Sequence, residues 1–376
     1  MLSYIVWDPM REIIKDIQPP VWYSVLFAMG FILGYQIMVN IFKKEKLDPA
    51  NVDTLTVYMV LATIIGARLG HLVFYEPERF LADPLMFFRT WEGGLASHGA
   101  VFSILPALYL YSNYVVDASL SPFKFKFIKK KRKGQSYFWI VDRIVITVAL
   151  AAIFIRGGNF VNSEIIGKPT ESNYGVVFGR VAEESIEDRI NGIEEAEASK
   201  GTHEALEPGI VPVDLTLTFE NRNISEDQVR TIVNTSVRSI MMGYRVAEHY
   251  AQPNQPLDYD IEIIDRKVTA IIHTWGINRH PAQLYESGTS LILFIILFML
   301  WMRYKEKTPD GLFSGIFLIW IFGLRWFHET FKENQVAFED DLAFNMGQIL
   351  SIPMVLLGVF ILLRVYIKSN KARKTV

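Results

Sequence analysis

Seven apolar runs, each about 20 residues long, constrain this chain more than any other feature. They cover residues 21–41, 55–75, 95–115, 138–160, 281–302, 312–331 and 344–365. A run of that length spans the hydrocarbon core of a bilayer as a helix. Of the 376 residues 51% are hydrophobic, and the charged residues collect between the runs rather than being spread along the chain. That is the pattern of a polytopic membrane protein, not of a soluble domain. The net charge of -2 carries little information, because the two signs are sorted along the sequence.

The loops set an orientation. Basic residues cluster after the first run (Lys43, Lys44, Lys46), after the third (Lys124 to Lys133), after the fifth (Arg303, Lys305, Lys307) and in the C-terminal tail (Arg364 to Lys374). All four clusters fall on one side, which the positive-inside rule makes cytoplasmic. The expected fold is therefore an α-helical polytopic membrane protein. It has seven transmembrane helices and a small α+β external, periplasmic head between spans 4 and 5. The expected divisions are residues 1–166, spans 1–4; 167–275, the head; and 276–376, spans 5–7 and a cytoplasmic tail. The N-terminus lies outside.

Within the head, residues 211–219 alternate apolar and polar and predict a strand. Residues 225–248, opened by Ser225-Glu226-Asp227, predict a helix. The stretch from Glu183 to Glu207 is rich in acid and is expected to be a mobile loop. The chain has no cysteine, which excludes disulfides, thiolate metal sites and a cysteine nucleophile of its own. No signal-peptide pattern is evident around Asp8, Arg11, Glu12 and Lys15. No cofactor, metal or nucleic-acid partner is expected, and no convincing metal-ligand spacing is seen.

Three runs carry internal cations: Arg68, Arg156 and Arg325. Ionisable groups at membrane depth are costly and by default mark a functional site. The fourth run ends in Ile155-Arg156-Gly157-Gly158-Asn159-Phe160-Val161-Asn162-Ser163-Glu164. Arg156, Asn159 and Asn162 are close to one helical face. A guanidinium beside amides suits a phosphate, and paired glycines allow close backbone approach. A lone arginine there would instead snorkel to lipid phosphates. The asparagines and Glu164 favour a headgroup site.

Other polar groups fall at similar depth. Gly93 and Gly94 mark a turn or re-entrant bend before His98, a candidate proton acceptor or a neutral imidazole held by a backbone carbonyl. His280-Pro281 opens the fifth run, where Gln283 and Glu286 share a face and Glu286 calls for a buried arginine. Arg325 and Glu329 are an i,i+4 pair.

In these residues the chain resembles the prolipoprotein diacylglyceryl transferases of bacteria. The resemblance lies in residues 156–164, Trp22-Tyr23, residues 66–75, 91–98, 280–286 and 325–331, and Met346-Gly347-Gln348-Ile349-Leu350-Ser351-Ile352-Pro353, in the family's order. It implies transfer of the diacylglyceryl group of phosphatidylglycerol to the lipobox cysteine of a preprolipoprotein in the inner membrane. The products would be a thioether and glycerol-1-phosphate. It also implies His98, Arg156 and Arg325 as catalytic residues. Tyr23, Arg68, Gly94, Asn159, Asn162, Glu164, His280 and Glu286 become substrate-binding ones. There are departures: Ile155 and Gly157 flank Arg156 where a glycine and an aliphatic residue are usual, Ala100 replaces a glycine, and Ile321 stands where a tyrosine is common.

The chemistry fits these residue types. A base favours the cysteine thiolate, which attacks the glyceryl carbon bearing the phosphate oxygen. Arginines then stabilise the departing phosphate ester. Glu164 and Glu286 are expected to hold the arginines. The rival is a membrane transporter or binder of an anionic lipid or solute. Repeated halves would favour it, and none is seen. An intramembrane protease lacks a persuasive serine or paired-aspartate motif within the runs.

Overall fold

The computed structural model describes residues 3–10, 12–14, 17–89, 94, 96–120, 123–251, 256–333 and 343–374. Each apolar run forms a helix: α1 (Trp22–Lys44), α2 (Ala50–Phe74), α3 (Ser97–Asn113), α4 (Tyr137–Val161), α5 (Ala282–Tyr304), α6 (Leu312–His328) and α7 (Met346–Lys374). Among the described residues, five of them, α1, α2, α4, α5 and α7, are long and apolar enough to cross a membrane by length and composition. Helices α3 and α6 are shorter, at 17 residues each. After α3 the chain turns directly into a hairpin, Tyr114–Leu120 with Phe123–Lys129. After α6 a single 3-10 turn, Glu329–Phe331, closes the segment.

Two compact units divide the chain. One gathers Met1–Phe27, Phe154–Gly288 and Arg325–Ile349. The other gathers Ala28–Ile153, Thr289–Leu324 and Leu350–Val376.

The first unit is built on an antiparallel sheet of β1 (Ile193–Lys200), β2 (Ile210–Phe219), β3 (Asp258–Ile264) and β4 (Lys267–Ile277), in the order β3-β4-β2-β1, with Tyr250–Ala251 also pairing β4. The alternation predicted at 211–219 is real: Val211, Val213, Leu215, Leu217 and Phe219 are all buried. They pack with Ala182, Ile186, Val229, Val233 and Val237 from helices laid on the sheet. Each Val, Leu, Ile or Phe among them contributes about 1.5–3 kcal/mol when fully removed from water. Ser225 caps the expected helix with a full capping box to Gln228. That helix runs through a π turn to Met241, breaks at Gly243 and resumes for Tyr244–Ala247.

The acidic stretch is not a mobile loop. It forms the helix Arg180–Glu187 and strand β1. Glu183 and Glu187 accept the backbone N–H groups of Ala198 and Ala196, so acid side chains tie helix to strand. Charge density suggested solvation here, but an amphipathic face and a sheet edge outweighed it.

The second unit buries charge that does not belong to the candidate site. Arg143, fully buried in α4, is bidentate to Glu45 at 3.0–3.1 Å. Trp139 and Trp301 donate their indole N–H to the same carboxylate at 2.7 and 2.8 Å. Asp142 accepts the backbone N–H groups of Gly311 and Ser314. These charges lock helices α4, α5 and α6 together. Helices α2 and α3 meet through glycines: a Cβ on Gly99 would lie 2.2 Å from the Gly66 carbonyl oxygen.

Candidate active site

Three connecting segments of the first unit meet through backbone bonds. Val176 and Arg279 exchange both their N–H···O bonds, at 3.0 and 2.9 Å. Lys168 N–H donates to the Phe331 carbonyl at 2.8 Å, and His280 N–H to that of Lys168 at 3.0 Å. The end of α4, the start of α5 and the end of α6 are thereby held side by side. Strand Ser3–Trp7 joins them by parallel pairing with Tyr174–Phe178. The Trp7 indole donates to the Phe160 carbonyl at 2.9 Å and stacks on its ring at 4.4 Å. A close approach of backbone fixes the junction: a Cβ on Gly167 would fall 2.2 Å from the His280 carbonyl oxygen.

This junction brings charged side chains together. Arg156 pairs with Glu286 and donates to Asn159 Oδ1 at 3.3 Å. Lys332, 3% exposed, pairs with Glu286 and stands 3.1 Å from Glu329. Arg325 completes the row, 3.4 Å from Glu329 within its own helix. Asn345 also donates to Glu329, at 3.3 Å. The order Arg156–Glu286–Lys332–Glu329–Arg325 alternates in sign, so each buried charge has a neighbour that offsets its desolvation.

A second cluster adjoins Arg156. Glu164 accepts the side-chain amides of Asn159 and Asn162, both at 3.2 Å. Gln283 donates to the Glu164 backbone carbonyl at 2.6 Å. Glu164 therefore orients the two asparagines, whereas the sequence reading had it hold an arginine. Glu286 does hold one, as expected. The paired glycines act separately. Gly158 admits the Tyr23 ring, which a Cβ would meet at 2.7 Å, while a Cβ on Gly157 would meet no neighbouring side chain or segment within 4 Å. His280 packs against Phe331 at 5.0 Å and Tyr285 at 6.1 Å, and burial lowers its pKa. Arg156 and Arg325 keep 23% and 40% of their side chains exposed, so both guanidinium groups can receive an anion.

Of the residues singled out in the sequence, Tyr23, Arg156, Asn159, Asn162, Glu164, His280, Glu286 and Arg325 lie in the first unit. Arg68, Gly94 and His98 lie in the second. There Arg68, 2% exposed, donates to the carbonyls of Met86 at 2.6 Å, Arg89 at 2.9 Å and Gly94 at 3.4 Å. Its contacts are those of a residue that positions a loop. Gly94 has φ +76°, and a Cβ there would meet His71 at 2.4 Å. His98, at the start of α3, packs against Phe74 and Tyr75 at 5.1 and 5.8 Å. Trp91, Glu92, Gly93 and Leu95 of the same motif lie outside the described residues.

Sequence reading missed Lys332. It sits just beyond the sixth apolar run, beside Glu333, and looks like a solvated loop charge. Its i,i+3 relation to Glu329 was the only available signal.

The sequence profile of the prolipoprotein diacylglyceryl transferases matches residues 14–364. The chain is 30% identical over 342 residues to the phosphatidylglycerol–prolipoprotein diacylglyceryl transferase of Tolumonas auensis, spanning 91% of this chain and 90% of that one. The enzyme of the same name from Chloroherpeton thalassium is 29% identical over 375 residues, 99% and 98% of the two chains. That of Porphyromonas gingivalis is 30% identical over 370 residues, 96% and 95%. Several apolar helices and this kinship make the chain a multi-pass membrane protein. It belongs to the prolipoprotein diacylglyceryl transferase family.

Proposed function

We propose that this protein transfers the diacylglyceryl group of phosphatidylglycerol to the lipobox cysteine of a preprolipoprotein, the first step of lipoprotein maturation. The observation that carries the reading is the Arg156–Glu286–Lys332–Glu329–Arg325 row beside the Asn159–Glu164–Asn162 cluster. Relatives spanning nearly all of the chain carry phosphatidylglycerol and prolipoprotein in their names.

In this reading the thiol loses its proton and the sulfur attacks the glyceryl carbon that bears the phosphate oxygen. A C–S bond forms, the C–O bond breaks, and glycerol-1-phosphate leaves as the anion. Arg156 and Arg325 meet the charge that develops on that phosphate. Because Glu286 and Glu329 already fix both guanidinium groups, little reorganisation is needed as the charge grows. Asn159 and Asn162, aligned by Glu164, orient the headgroup, with Tyr23 and His280 in supporting roles. His98 takes the thiol proton, an assignment resting on its residue type and the motif resemblance. Arg68, which donates to the carbonyls of Met86, Arg89 and Gly94, and Gly94 itself keep the substrate-binding place that the motif resemblance implies.

The proposed setting is the bacterial inner membrane, with α1 to α7 all as spans, the shorter α3 and α6 included. The basic loops place the C-terminus in the cytoplasm, and the N-terminus and the sheet-bearing insertion in the periplasm. Both substrates reside in the bilayer, which suits lateral access between helices.

Mass spectrometry of a lipobox peptide incubated with purified protein and phosphatidylglycerol tests the reading. A diacylglyceryl mass gain that requires the peptide cysteine and Arg156 supports it. No gain, with folded protein and a peptide proven on a known transferase, overturns it in favour of an anion binder or transporter.

A further inference from the structure

We propose that His203, Asp214 and His273 form a binding site for a divalent transition-metal ion, zinc above all, on the sheet of the first unit. The site shares no residue with the Arg156 cluster. His273 on β4 stands directly opposite Asp214 on β2 in the antiparallel register. His203 comes from the turn after β1, where the Gly201 backbone lies against its ring: a Cβ there would meet the ring at 2.6 Å. Each of the three residues offers one ligand atom, and these atoms lie within 4.8 Å of one another. His273 Nδ1 is 2.7 Å, and His203 Nδ1 is 3.5 Å, from Asp214 Oδ1. Ligands about 2.0–2.1 Å from a tetrahedral zinc stand roughly 3.3 Å apart, within that range of separations.

The distal nitrogens make the stronger point. His203 Nε2 is 2.8 Å from the Thr274 carbonyl oxygen, which can only accept a hydrogen bond, so Nε2 is the donor. The proton of a neutral His203 is therefore on Nε2, and Nδ1 presents a lone pair. Among the described residues that Nδ1 is buried and has no hydrogen-bond partner. A lone pair facing a carboxylate oxygen is repulsive unless a cation stands between them. His273 Nε2 in turn is 3.3 Å from Asp260 Oδ2. A carbonyl or carboxylate behind each imidazole is how proteins orient metal-binding histidines. A proton on His273, shared by Asp214 and Asp260, would explain that residue, but His203 Nδ1 would then need a second proton beside the first, which one metal ion replaces.

Two imidazoles and one carboxylate suit zinc and its later first-row neighbours, not calcium or magnesium. The side chains of His203, Asp214 and His273 remain 22%, 17% and 26% exposed, so water can complete a fourth position. Such an ion would pin the turn after β1 to β2 and β4. The turn already leans on β4, with the Trp275 indole donating to the Glu204 carbonyl at 2.9 Å and its ring 5.2 Å from His203.

The test uses full-length detergent-purified protein stripped with a chelator. Calorimetric titration with zinc chloride should show one ion per chain with micromolar or tighter affinity. His203→Ala and His273→Ala should each weaken binding at least tenfold, with size exclusion and circular dichroism checking the fold. Cobalt substitution of the unmutated protein needs no variant: intense visible bands of a four-coordinate ion with nitrogen and oxygen donors are expected. Absence of zinc binding by the unmutated protein, unchanged affinity in the folded variants, or only the weak bands of hydrated cobalt would each overturn the proposal.

Discussion

Arg156, at the end of α4, is ion-paired with Glu286, near the start of α5. The pair holds the guanidinium in one place without enclosing it. If Arg156 meets the leaving phosphate, its loss removes a preorganised donor. Arg156→Ala should lower kcat by about 10²–10³-fold. Glu286→Gln, which leaves the arginine present but less fixed, should cost roughly tenfold, or about 1.4 kcal/mol. Single-turnover transfer to a lipobox peptide measures both. An Ala variant with an unchanged rate would remove Arg156 from the chemistry.

Lys332 bridges two carboxylates at the end of α6. Its removal leaves Glu286 and Glu329 facing each other with one fewer cation. Lys332→Met should destabilise the protein by about 3 kcal/mol, since an uncompensated buried charge is the costly case. Lys332→Arg should lose less. Thermal unfolding of the two variants decides, and a Met variant as stable as the wild type would show that Arg156 and Arg325 suffice.

The contact between Gly66 and Gly99 is backbone against backbone and cannot be relieved by rotating a side chain. Gly99→Ala should cost about 1–3 kcal/mol by overpacking and separate α2 from α3. Gly157→Ala, with nothing within 4 Å, should be neutral or stabilise by about 0.5–1 kcal/mol. Unfolding temperatures measured side by side test the contrast. Equal effects would mean that α2 and α3 can part without penalty.

His249 is buried in the first unit, and burial, with Arg279 and Arg245 nearby, lowers its pKa to about 4. Unfolded histidine titrates near 6.5. The unfolded state thus binds the extra proton first. The stability at stake, about 3 kcal/mol, is fully present above about pH 6.5 and lost as pH falls toward 4. Glu183, pushed up to about 10 by burial and by Asp8, acts with the opposite sign over this window. Comparing wild type with His249→Gln therefore isolates the histidine. The wild type should lose more stability than the variant between pH 7 and pH 4.5, followed by the near-ultraviolet circular dichroism of thermal unfolding. Parallel profiles would refute the assignment.

Periodicity and length exposed the helices, because an apolar run that must satisfy its own backbone has few alternatives. The i,i+4 pair Arg325–Glu329, the cap at Ser225 and the alternating strand β2 were legible for the same reason: each is a relation between near neighbours. The acidic stretch misled, because composition does not say which carboxylates will find backbone N–H groups. Glu183 and Glu187 found them on β1.

By itself the sequence determined the run lengths, the sorting of charge among loops, the absence of cysteine, and an ordered set of polar motifs specific enough to indicate a family. Tertiary structure alone decided the pairings between residues distant in the chain. It put Lys332 between Glu286 and Glu329, turned Glu164 toward two asparagines, gave Arg143 to Glu45, and set His203 and His273 around Asp214. The physical reason is distance. Coulomb and hydrogen-bond partners are chosen within a few ångströms in space, and a one-dimensional pattern carries that information only for residues a turn or a strand pair apart.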